Sequence, residues 1–189
     1  MTYHTHFAFS ILFAFTVIKN LNSFQLHNYF DFEFLLILYK SSPVNLYCAA
    51  ALGAILPDID HVNSRIGNKL KPISWIIKLF GIKHRGLTHS ILGVFLFSIL
   101  LEKLLLINWI DKIWYYSLLI GYISHLIADM FNPLGIPILY PNEYRFKFGI
   151  NITTGSWKEN TFFSITILIL FIIFIIELGY YNISFSILN

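Results

Sequence analysis

Carboxylates and imidazoles recur at short spacings in this chain: Asp58-Ile59-Asp60-His61, then His84 and His89 around Arg85-Gly86-Leu87-Thr88, then His125 and Asp129 four residues apart. These side chains are ligands for divalent cations, and an ion they hold can activate water for hydrolysis. A His and an Asp one helical turn apart project from the same face and can share one cation. Alone, such a pair is weak evidence, because on a soluble helix it is often only a surface hydrogen bond. Here it lies within Gly121-Tyr122-Ile123-Ser124-His125-Leu126-Ile127-Ala128-Asp129-Met130, an apolar setting that favours a shared ion. Asp58 and Asp60 follow Leu56-Pro57, where the chain leaves a helix and irregular backbone can aim several ligands at one point. For Asp58 alone the plainer reading is an Asx turn at a helix end.

The expected ligand set is Asp58, His61, His84, His89, His125 and Asp129, with His6 as a peripheral ligand. Asp60 or Glu159 would serve as general base, although Glu159 also suits a carboxylate at a helix N-terminus. Arg85 would neutralise charge on a substrate, against the alternative of an arginine snorkelling to a membrane interface. Imidazole and carboxylate without thiolate suit zinc first, then manganese or iron, and the number of candidates allows one ion or two. Two ions about 3.5–4 Å apart would clamp the oxygens of a phosphate ester. Cys48 is the lone cysteine, which excludes an intrachain disulfide and a cysteine zinc cluster. Ser90 and Thr88 flank His89, but there is no Gly-x-Ser-x-Gly elbow, so a serine hydrolase is excluded. His4 and His27 read as exposed imidazoles.

The elements that must position these residues are apolar. At 189 residues the chain makes a single domain over 1–189, and 57% hydrophobic with 12% charged residues is extreme for a soluble protein. The expected fold is all-α: a polytopic membrane bundle of about four to five transmembrane helices. Apolar stretches fall at 7–18, 44–56, 87–107, 113–130 and 161–181. The first two are short against the roughly 20 residues a spanning helix needs, although residues 34–39 would extend the second. Pro43 argues against one continuous helix through that region. The first stretch lacks a basic leader and a small-residue cleavage site, so it is expected to be retained. An interfacial helix is expected over 72–81 and a short hairpin over 144–152.

If the five stretches cross in alternation, every ligand candidate gathers at one face of the bundle. The same face receives nine of the thirteen basic residues, namely Arg65, Lys69, Lys71, Lys78, Lys83, Arg85, Arg145, Lys147 and Lys158. Lysine and arginine excess marks the cytoplasmic side, so the metal site is expected to face the cytoplasm. The basic residues lie in loops with no polybasic tract, which argues for membrane orientation and against nucleic-acid binding. The expected partner is the lipid bilayer, and nothing in the sequence fixes an oligomeric state.

Read in order, these residues closely resemble the YdjM-like family of LexA-regulated, inner-membrane-associated proteins described as metal-dependent hydrolases. The resemblance runs through His6 ahead of an apolar helix, Leu56-Pro57-Asp58-Ile59-Asp60-His61, and His84-Arg85-Gly86-Leu87-Thr88-His89-Ser90. It continues through Gly121 to Asp129, a loop carrying Pro133, Gly135, Pro137 and Pro141, and Glu159, covering about 4–165. It implies a multi-pass protein of the bacterial inner membrane and carries no substrate with it. The HxxxD element and its proline-containing loop are also similar to part of the zinc-dependent phospholipase C and single-strand nuclease pattern, whose N-terminal tryptophan ligand is absent here. That partial likeness points to a phosphoester or phospholipid substrate. A non-enzymatic alternative is a membrane metal-binding protein of the SOS stress response, in which the ion ties loop to helices.

Overall fold

A computed structural model describes residues 1–23, 42–79 and 84–187, together with Ile37. His27, Lys40 and Lys83, like most of the expected 34–39 extension and the end of the expected interfacial helix, lie outside the described residues. Seven α-helices form among them: α1 Tyr3–Ser23, α2 Pro43–Gly53, α3 Arg65–Lys69, α4 Lys71–Leu79, α5 Ile91–Leu106, α6 Lys112–Asp129 and α7 Trp157–Ile187. Two 3-10 turns, Pro57–Asp60 and Leu87–His89, interrupt them. The fold is all-helical among the described residues, with one isolated antiparallel bridge between Ile136 and Phe146.

Local signals set most of these boundaries. Ser42, with extended backbone, stands at the N-cap position of α2, and Pro43 occupies its first turn, where a missing N–H costs nothing. Ser90 caps α5 by accepting from the Gly93 N–H, and Asp111 caps α6 by accepting from the Trp114 N–H. The cap at Ser90 starts the third apolar stretch later than its composition indicates, leaving Leu87–His89 as a turn. Conversely α1 starts earlier than expected, so His4 and His6 lie inside the helix. The expected hairpin over 144–152 does not form. Phe148 and Ile152 instead donate their N–H groups to the carbonyls of Met130 and Phe131, just beyond the C-terminus of α6. Those donations satisfy acceptors that the loop around a helix end otherwise leaves unpaired.

Small residues let the bundle close. A Cβ on Gly121 would fall 1.9 Å from the Ala50 carbonyl oxygen, and one on Gly53 would fall 2.2 Å from that of Leu118. Thus α2 and α6 touch backbone to backbone. Ala8, Ala14, Ala49, Ala50, Ala51 and Ala54 are buried, as are Ser10, Ser117 and Ser124. Large apolar side chains turn outward, among them Phe95, Leu96, Ile99 and Leu100 on α5 and Phe171, Ile172, Phe174 and Ile175 on α7. Small residues at helix contacts and bulky apolar ones outside suit a lipid environment, where burial of apolar surface supplies no drive for association.

Among the described residues one helical stretch, Trp157–Glu177, is long and apolar enough to cross a bilayer, and 11% of its most apolar part is buried. By comparison α5 has 16 residues and α2 has 11. Contacts tie α1 to α7 at two levels: Glu159 accepts from the Thr2 N–H, and Lys19 pairs with Glu177 at 3.1 Å. The two helices therefore run parallel for about 27 Å at 1.5 Å rise per residue. On α4, Ile73, Trp75, Ile76 and Leu79 are exposed, as an interfacial helix requires.

Candidate metal centre

The N-termini of α1, α5 and α7 meet the C-termini of α2 and α6, and the His and Asp residues gather there. His89 and His125 are fully buried, and Asp129 and His6 are nearly so. Their positions follow from distant hydrogen bonds. His125 Nδ1 lies 2.6 Å from the Ala54 carbonyl oxygen at the end of α2. A carbonyl only accepts, so Nδ1 carries a proton and, in the neutral ring, Nε2 keeps its lone pair.

His89 is fixed by the same logic one step removed. Thr88 Oγ1 hydrogen-bonds Asp60 Oδ2 and lies 2.9 Å from His89 Nδ1. The ionised carboxylate only accepts, which commits the Thr88 hydroxyl proton and makes His89 Nδ1 the donor to Oγ1. Nε2 of a neutral His89 is then also bare, and it faces His125 Nε2 at 3.1 Å. Two lone pairs cannot face each other at hydrogen-bond distance without a cation between or beside them. In metal-binding histidines, anchoring one ring nitrogen in this way aims the other.

Two carboxylates complete the group. Asp58 Oδ1 lies 3.7 Å from Nε2 of both His89 and His125, and Asp129 Oδ2 lies 3.6 and 4.0 Å from them. Ligands at tetrahedral corners, with bonds of about 2.0–2.1 Å, stand roughly 3.3 Å apart. The separations bracket that value, so His89 and His125 with Asp58 could hold one divalent ion, and Asp129 lies within reach of both imidazoles. His6 stacks on His125 with ring centroids 3.8 Å apart. Its Nε2 approaches Asp129 Oδ1 at 3.3 Å without hydrogen-bond alignment, and both ring nitrogens are buried without a hydrogen-bond partner. Orphaned buried nitrogens beside a shared carboxylate are a further mark of a cation site. His6, His125 and Asp129 form one ligand grouping, Asp58, His89 and His125 a second, and Asp58, Asp60 and His84 a third.

The field of the cluster favours positive charge at its centre. Burial pushes the Asp58 carboxyl up, but the imidazoles of His125, His89 and His6 outweigh it and hold the group well below the usual carboxylate range. Asp60 is held down against its burial by His84, His89 and Thr88. Burial alone would lower His89, yet hydrogen bonding to Asp58 and Asp60 and the charge of Asp129 push it up to about 9. A proton there marks where a metal ion would compete.

The remaining expected residues take distinct places. Asp60 accepts from His84 Nδ1 at 2.8 Å, from Thr88 and from the Arg85 N–H, so its oxygens are already engaged. His61 stands outside the three groupings, its ring 4.7 Å from that of His84. Glu159 is buried, with its two oxygens accepting from the N–H groups of Thr2 and Gly155. Arg85 is buried rather than snorkelled: Nε lies 3.0 Å from Asp129 Oδ2, and Nη1 donates to Asn132 Oδ1 at 3.1 Å. The α-ammonium of Met1 lies 2.8 Å from Asp129 Oδ1.

Three contributors carry no signal in a list of ligand types. Thr88 orients His89, the Ala54 carbonyl orients His125, and Asn132 holds Arg85. Thr88 had a visible cue in its place beside His89, and Asn132 one in its place three residues beyond the HxxxD pair.

The fold and cluster define a class: a helical bundle with outward apolar surface and, at one end, a buried His/Asp cluster that could hold a cation. The chain matches the family model described as "YdjM inner membrane protein" over residues 1–184, and it belongs to that family. It is 41% identical over 104 residues to the inner membrane protein YdjM of Escherichia coli K12, covering 54% of this chain and 52% of that protein. The same identity and coverage hold for the YdjM of Shigella flexneri. A Bacillus subtilis protein named as the uncharacterized protein YvsG is 34% identical over 122 residues, 64% of this chain and 72% of that one. The aligned region thus spans about half the length of the YdjM relatives. No solved structure matches the chain.

Proposed function

We propose that this protein is a membrane-embedded, metal-dependent hydrolase of phosphoesters, phospholipids included, with its site at the cytoplasmic rim of a multi-pass bundle. The observation that carries this reading is the pair of facing Nε2 atoms on His89 and His125, 3.1 Å apart with both Nδ1 protons committed elsewhere. Asp58, His89, His125 and Asp129 would hold the ion, zinc by its donor set, with His6 at the edge. When bound, such an ion supplies Lewis acidity, polarising an ester oxygen and making water a stronger acid.

The chain's own groups do the rest. Asp60 acts through Thr88 and His84 as an orienting carboxylate, because its lone pairs are occupied. Glu159 ties the start of α1 to the loop ahead of α7, a strap at the helix N-terminus. Arg85 offers a fixed positive charge beside the ligand Asp129, suited to a phosphate oxygen. Asp58, whose side chain is partly exposed, would be the ligand that water reaches.

The test is elemental analysis of purified protein with a screen of lipid and phosphodiester substrates. Metal-dependent product release that disappears in His125→Ala protein, which still inserts and binds detergent normally, is the expected result. Release that persists in that variant rejects the mechanism. The second reading, a non-enzymatic membrane metal-binding protein, is favoured by the burial of His89, His125 and Asp129, because a closed shell is the habit of structural ions. Bound metal with no turnover of any phosphoester, and a fall in thermal stability on its removal, would establish it.

A further inference from the structure

We propose that the cavity between Arg85 and Arg145 binds the anionic oxygens of a phosphate ester, which deepens the hydrolase reading by naming where its substrate's charge is held. The cavity measures about 300 Å³ and is bordered by Arg85, Pro137, Tyr140, Glu143 and Arg145. It lies outside the His/Asp cluster but shares Arg85 with it.

Two arginines border this space from separate elements. Arg85 comes from the segment ahead of the Leu87–His89 turn, with its backbone in the left-handed region at φ 56. That conformation is disfavoured for a bulky residue and persists where surroundings over-determine it. Here Asp60 accepts the Arg85 N–H, while Asp129 and Asn132 face its guanidinium. Nε and Nη1 are directed at these two neighbours, which fixes the side chain as a buried positive charge at the edge of the cavity.

Arg145 arrives on the far arm of the loop, where the reciprocal hydrogen bonds between Ile136 and Phe146 fix the neighbouring backbone. The loop can close this tightly because Gly135 adopts φ 58 and a Cβ there would fall 2.5 Å from the Phe146 carbonyl oxygen. Nη1 of Arg145 donates to the Gly135 carbonyl at 3.3 Å. That long bond commits one of its five donors.

Guanidinium forks match the oxygens of phosphate, and two of them set its orientation. Tyr140 and Pro137 offer apolar walls to the esterified alcohol, and Glu143 at the border would repel a second anion. A volume near 300 Å³ is at the low end for ligand pockets, enough for a phosphate and a short polyol but not for acyl chains. Such a group would lie one guanidinium away from Asp129.

The experiment measures binding by titration calorimetry, using chelator-treated protein with inorganic phosphate and glycerol 3-phosphate as soluble probes. A second arm uses protein reconstituted in phosphatidylcholine discs with and without phosphatidic acid. Arg145→Gln is expected to weaken binding on the order of ten- to a hundredfold, and Arg145→Lys less, since it keeps charge but loses the fork. Affinity confined to the soluble probes identifies a free phosphoester, and affinity confined to phosphatidic acid discs identifies a lipid headgroup; either supports the site. Equal binding by wild type and Arg145→Gln, or no binding in either arm, overturns it. Elemental analysis of the same samples before chelation separates the two readings: Arg145-dependent binding in a protein that takes up no metal rejects the hydrolase and keeps the anion site.

Discussion

Two sets of His and Asp residues lie side by side in this molecule and differ in what their lone pairs do. In the inner set, Asp58, His89, His125 and Asp129 aim nitrogen and oxygen atoms at one another around a point where either a proton on His89 or a metal ion can sit. In the outer set, Asp60 and His84 are joined at 2.8 Å, and Asp60 is further satisfied by Thr88 and the Arg85 N–H. The contrast teaches that a ligand type is not yet a ligand. His89 and His125 turn one ring nitrogen each into the cluster, whereas Asp60 spends its oxygens on neighbours, and Asp129 stands between the two cases, with Met1 and Arg85 beside its oxygens.

The sharpest way to break this contrast is to remove an inner member. His125→Ala should bring bound metal to background by elemental analysis, a loss exceeding the roughly 10- to 100-fold that changes in supporting residues cause. Equal metal content in the variant and the parent would sink the inner set as the ion site. Asp60→Asn keeps volume but turns an acceptor into a donor toward Thr88 or His84. It should weaken metal affinity about 10- to 100-fold in competition with a chromogenic chelator, while leaving one ion bound at saturation.

Gly121→Ala probes the scaffold beneath both sets. Its methyl group would collide with the Ala50 carbonyl, and α2 would move away together with the Ala54 oxygen that orients His125. A loss of about 1–3 kcal/mol is expected in detergent unfolding, with reduced metal affinity. Glu159→Gln should cost about 1 kcal/mol of stability, because one of two backbone N–H groups loses its acceptor. Turnover per bound metal should stay unchanged; a general base at this position would instead lose turnover with stability intact. His61→Ala is expected to change neither metal content nor stability by more than about 0.5 kcal/mol.

Much of the framework was legible in the linear chain. The apolar stretches at 87–107 and 113–130 became α5 and α6, and the break at Pro43 and the helix before Leu79 formed as their sequences indicate. Most of the ligand candidates expected to gather do meet, where helix ends converge at one end of the bundle. The hairpin over 144–152 was misread, because alternation and turn residues describe a strand pair but not the unpaired carbonyls beyond α6 that the segment meets instead. Span count was also beyond composition: one described stretch is both long and apolar enough to cross a bilayer.

Ligand chemistry belongs to the side chain itself, so the sequence alone determined that imidazoles and carboxylates would be available, and local spacing put His125 and Asp129 on one helical face. Protonation and aim belong to partners far along the chain. The oxygen that fixes His125 lies 71 residues away, and the histidine it faces lies 36 away. Only tertiary structure could place Asp60 among the supports, leave His61 outside, draw Arg85 inward and strap Glu159 to the start of α1, because each outcome depends on which donor or acceptor the fold brings within hydrogen-bond reach.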